Sequence, residues 1–131
     1  MKPKRESYYI PILVYGSLLE KRGKAIQAGM KPAPMYRVYI HLLETGLERM
    51  KTDWEFDCAV LSNWTRVDTN DSSCWQKVTP PIPADLHAAV KKAAEENDRR
   101  LYDFCHALFT EGEKGFQFSD IKTAQPCTPV F

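Results

Sequence analysis

Apolar positions recur with two different periods along this chain, first in short runs and then, after a proline cluster, in long helical stripes. YYIPILVY at 8–15 is β-rich and apolar, and Gly16-Ser17 follows with turn chemistry, which predicts a first strand. Ser17 then stands as a cap before helix formers as far as Ala28, with Gly29 as a stop, so a short helix is expected there. KPAP at 31–34 is a linker. From Met35 two periods compete. Tyr36, Val38, Ile40 and Leu42 alternate as in a strand, whereas Tyr39, Leu42, Leu43, Leu47 and Met50 share a helical face. The β-branched and aromatic content favours a strand, broken at Thr45-Gly46. WEFDCAVL at 54–61 alternates as well, with Trp54, Phe56, Cys58 and Val60 on one side, and predicts another strand. TNDSS is a loop by composition, and CWQKV at 74–78 is one more short strand.

The period then becomes helical. Pro83 suits a helix start, and Leu86, Val90, Ala93 and Ala94 fall on one face of the helix it opens. Asn97 ends that helix in a left-handed conformation and Asp98 caps the next. Leu101, Phe104, Cys105, Leu108 and Phe109 then give the second helix a broad apolar face, bracketed by Gly112 and Gly115. The tail TAQPCTPVF is irregular because two prolines interrupt it. The expected fold class is α+β. A small mixed or antiparallel sheet occupies the N-terminal half (1–79), a helical pair follows (80–116), and a tail (117–131) completes one compact domain.

Composition narrows the function. The chain has 131 residues, 44% hydrophobic and 27% charged, enough to bury a core, and its net charge of +1 gives no global basic field for coating nucleic acid. Cys58, Cys74, Cys105 and Cys127 are widely spaced, without the close pairs of a zinc or thioredoxin-like motif, and Cys58 and Cys105 fit apolar stripes as small core residues. Lys2, Lys4 and Arg5 before an apolar run superficially resemble a signal peptide. Pro11, the Gly16-Ser17 break and the charged Glu20-Lys21-Arg22 argue instead for a core strand in a cytoplasmic protein. No segment is long enough to span a membrane, and no cofactor or metal motif is visible.

IPADLHAAVKKAAEEN followed by DRRLYDFCHALFTEG resembles the ribbon-helix-helix family of dimeric DNA-binding proteins, over about a quarter of the chain. The resemblance implies a homodimer in which one strand from each protomer forms a ribbon that enters the major groove of duplex DNA. It implies Gln76 and Lys77 as groove-facing residues, Arg99 and Arg100 with the amides at 98–101 as a phosphate site, and Lys91 and Lys92 at the periphery. The residues themselves equally permit a helical hairpin packed over a small sheet, with these cations forming a solvated face.

Two further readings stand beside it. VYGSLL at 14–19 is similar to the strand-to-loop signature of the γ-glutamylcyclotransferase-like family, which implies a backbone turn that holds a substrate carboxylate. Alternatively, Tyr8, Tyr9, Trp64 and Trp75 are aromatics able to anchor a protein partner without DNA. His41, His87 and His106 suit packing or surface roles, since adjacent Cys105 and His106 point to different faces of a helix.

Overall fold

The structure is a computed structural model and describes residues 4–5, 7–68, 70–71 and 73–121. It contains β1 (Lys4–Arg5), β2 (Tyr8–Pro11), α1 (Ile12–Gln27), α2 (Met35–Thr52), α3 (Trp54–Leu61), β3 (Trp75–Val78), β4 (Pro81–Ile82), α4 (Ala84–Glu96), α5 (Leu101–Lys114) and a short 3-10 turn at Phe118–Asp120. The expected α+β order is therefore corrected. The N-terminal half is helical, and the strands form two antiparallel two-stranded ladders, β1 with β4 and β2 with β3.

Each misread element has a physical cause. Pro11 ends the first strand and stands as the N-cap of α1, because its fixed φ suits a helix entry, so Gly16 and Ser17 lie within the helix rather than at a turn. In α2 the 3.6-residue period prevails: Val38, Tyr39, Leu42, Leu43 and Gly46 are buried, and Thr45-Gly46 is no break. In α3 the apparent alternation dissolves once Phe56 and Val60, one helical turn apart, are the buried pair. Cys58 is exposed, and the Asp53 side chain caps the start by accepting a hydrogen bond from Phe56 N at 3.2 Å.

The later reading fares better. CWQKV contains β3, and α4 and α5 lie where the helical stripes put them, with Val90, Ala94, Phe104, Cys105, Leu108 and Phe109 buried. The left-handed residue is Asp98 (φ 54°) rather than Asn97, so Arg100, not Asp98, is the N-cap of α5. Gly112 lies inside α5 rather than after it. Of the predicted tail, 117–121 form the 3-10 turn and its flanks, while 122–131, with Cys127, lie outside the described residues.

α5 is the axis of the molecule. Seven consecutive residues, Asp103 to Phe109, are buried, as in a helix surrounded on all sides. It packs against α1, α2, α3, α4 and β2, and the apolar residues of both halves of the chain form one cluster. Where α2 crosses α5 the backbones come close: a Cβ at Gly46 would stand 2.9 Å from Leu108 Cδ2, and one at Gly112 would stand 3.2 Å from Leu42 Cδ2.

Candidate functional site

The six residues implied as a DNA face are distributed over three elements. Gln76 and Lys77 lie on β3, opposite Ile10 and Tyr9 of β2. The strand that a ribbon-helix-helix dimer exchanges with its mate is thus paired within its own chain. Lys91 and Lys92 are exposed on α4, with the exposed acids Glu95 and Glu96 one turn further on, so the local field is mixed.

The two arginines are spent on intrachain contacts. The Arg99 guanidinium lies 3.8 Å over the Trp64 ring and donates hydrogen bonds to Asn63 O, at 2.9 Å, and to Leu61 O. It thereby satisfies carbonyls at the C-terminus of α3, where a cation is favoured. Arg100 grips Asp103 through Nε–Oδ2 at 2.8 Å and Nη2–Oδ1 at 2.9 Å, and also donates to Val67 O at 2.7 Å. Asp103 Oδ1 in turn accepts from Val67 N at 2.7 Å. Burial raises the Asp103 pKa, but the hydrogen bonds from Arg100 and Val67 and the charges of Arg100 and Arg66 outweigh it and hold the carboxyl below the usual range. The α4–α5 turn is therefore a clamp on the segment after α3.

Nucleophilic chemistry finds no footing around the buried Cys105, whose thiol pKa burial drives far upward. His106 stacks edge-on to Trp75 at 5.3 Å, and burial lowers its pKa against the opposing pull of Asp103 and Glu111. His87 Nδ1 is paired with the Tyr8 hydroxyl at 2.9 Å. His41 lines a cavity of about 200 Å³ with Thr45, Arg49 and Asp120, and its pKa is likewise lowered by burial. VYGSLL lies inside α1, so the strand-to-loop turn that its resemblance implies is not formed.

Among the aromatics expected to anchor a partner, Tyr8 is fully buried, Tyr9 packs edge-on against Tyr102, and Trp75 packs against His106. Trp64 is exposed but carries Arg99 on its face. A different apolar surface emerges on α1. Val14, Leu18 and Ala25 face the core, and between them Ser17 Oγ donates to Glu113 Oε2 at 2.7 Å. Lys21 Nζ pairs with Glu113 Oε2 at 2.9 Å and donates to the carbonyls of Glu113 (2.6 Å) and Phe116 (3.0 Å), closing the end of α5. Burial raises the Glu113 pKa, and the hydrogen bonds from Lys21 and Ser17 more than reverse this.

That polar latch fixes the roll of α1. The side turned away from it carries Ile12 at 41% exposure, Leu19 at 42% and Ile26 at 52%, with Leu13 beside them at 86%. Gly16 and Gly23 fall between them, and a Cβ built on either would meet nothing within 4 Å. At 3.6 residues per turn, positions 12, 16, 19, 23 and 26 lie within an arc of roughly 80°. Sequence reasoning passed over this stripe, although its 4-3-4-3 spacing was there to find. Comparisons with protein-family models, with curated proteins and with solved structures find no match.

Proposed function

We propose that the chain is a protein-interaction module, a small helical domain that docks a helix of its partner on the outward face of α1. The observation that carries this reading is the solvent-facing row Ile12, Leu19 and Ile26, set at heptad spacing on a helix whose other face is already committed to the core. Scattered exposed apolar residues are ordinary, but a contiguous apolar stripe on one rigid element marks an interaction site. Heptad spacing supports a helix as the occupant, because that spacing keeps one seam facing a second helix.

This reading is preferred to duplex DNA because Arg99 and Arg100 satisfy carbonyls and a carboxylate of their own chain. Freeing them for phosphate would strand those acceptors. The test is the double variant Leu19→Lys/Ile26→Lys at low protein concentration. Its thermal midpoint is expected to stay within about 3 °C of the parent, since exposed substitutions change stability by about 0.5 kcal/mol or less. Binding of the apolar dye bis-ANS, in contrast, is expected to fall severalfold. A much larger loss of stability would show that the face belongs to the core, and the reading would fail.

A further inference from the structure

From the shape of the same face we infer that its partner is a second copy of this chain, with the two α1 helices antiparallel about a twofold axis that crosses the seam at the level of residue 21, on the side away from the Lys21 latch. This deepens the interaction reading and rests on it. A glycine in a helix interior is unfavourable relative to alanine. Gly16 and Gly23 have no compensating intrachain contact, because the space where their side chains would stand is open. A second backbone approaching at those points uses that space.

Antiparallel helices form layers in which residue numbers from the two chains sum to a constant. With a sum of 42, Leu19 of each copy meets Gly23 of the other, and Ile26 meets Gly16. Leu19 and Ile26 then each enter a hole left by a glycine, and each contact occurs twice, as an isologous interface requires. Ile12 points toward Met30 of the second copy, itself exposed just beyond the end of α1.

The charged rims leave the register to the glycines. Glu20 and Lys24 are both highly exposed, and their mutual Nζ–Oε1 distance is a loose 3.8 Å. In this register Glu20 lies one residue from the twofold axis, as near to Glu20 of the second copy as to its Lys24, so like and opposite charges are mixed on this rim and contribute little. Arg22 on the other rim faces its own counterpart, a repulsion that added salt relieves. A 16-residue helix offers a seam of about 24 Å, a small interface, and the association is expected to be weak, with a Kd of roughly tens of micromolar.

The experiment uses the full chain with Cys58, Cys74 and Cys127 changed to Ser. Sedimentation from about 1 to 500 µM is expected to show a monomer–dimer equilibrium. Gly23→Leu is expected to weaken it at least tenfold while raising the monomer's thermal midpoint by a few degrees, because the hole is filled and the helix gains a better former. A mixture of Leu19→Cys and Gly23→Cys chains is expected to cross-link between the two variants in preference to either with itself. A monomer at every concentration overturns the self-pair, even if α1 still binds bis-ANS and so retains its face for another helix. A dimer that survives Gly23→Leu, or Leu19→Cys chains that cross-link mainly to one another, overturns the register.

Discussion

Phe109→Ala is expected to cost about 4 kcal/mol and to lower the thermal midpoint by roughly 10 °C or more. Phe109 is fully buried near the middle of α5, and its ring meets Tyr8 of β2 edge-on at 6.2 Å and Tyr39 of α2 edge-on at 6.3 Å. Truncation to Ala opens a cavity where the N-terminal strand, α2 and the central helix meet. None of these walls collapses freely, because each is held on another side: Tyr8 by its hydroxyl on His87 and β2 by the whole of β3. Against a total stability of about 5–15 kcal/mol such a loss leaves the chain marginal. Trp54→Ala is the matched control. Its ring is 78% exposed, and the change is expected to move stability by no more than about 0.5 kcal/mol. Denaturant unfolding of both variants checks the contrast, and equal effects would mean that α5 is not the axis of the core.

Asp103→Ala is expected to cost about 3 kcal/mol, through a different mechanism. The carboxylate accepts the hydrogen bond of the buried Val67 N–H, and it orients Arg100, which in turn holds Val67 O. Removing it leaves a buried donor unsatisfied and loosens the clamp on the segment after α3. The ion pair itself contributes the smaller share, since the Arg100 side chain is 40% exposed and its charge is screened by water.

The pH dependence has a definite sign. A carboxyl whose folded pKa is depressed contributes stability that is fully present above its unfolded value, near 3.8, and is lost as pH falls through the lower folded value. Glu113, depressed by Lys21 and Ser17, acts in the same direction. Unfolding measured from pH 5 to pH 2 is therefore expected to show a steep acid loss in the parent and a shallower one in Asp103→Ala. An unchanged slope would remove Asp103 from this role.

How far such features can be read from the residues alone differs between elements. The α4–α5 pair was legible because each helix carries one long stripe of a single period, bounded by Pro83 at the start and Gly115 at the end. α3 was not, because eight residues of WEFDCAVL satisfy a period of two as well as a pair one turn apart, and only the helix packed beneath decides between them. α2 begins with the β-favouring Tyr36, Val38, Tyr39 and Ile40, and its weak local preference yields to burial against α5.

The candidate surface shows the same division most plainly. The sequence of α1 by itself supplies two apolar sets, Val14, Leu18 and Ala25 and then Ile12, Leu19 and Ile26, which lie on opposite faces once the segment is helical. The sequence likewise places Arg99 and Arg100 in the turn between α4 and α5. Neither fact says which apolar face is inside, or whether an arginine is free. Those outcomes belong to the tertiary structure alone, because a helix rolls until its polar groups are paired. Lys21 and Ser17 find Glu113 at the end of α5, Arg99 finds the carbonyls of Leu61 and Asn63, and Arg100 finds the carbonyl of Val67, over 33 to 96 residues of chain separation.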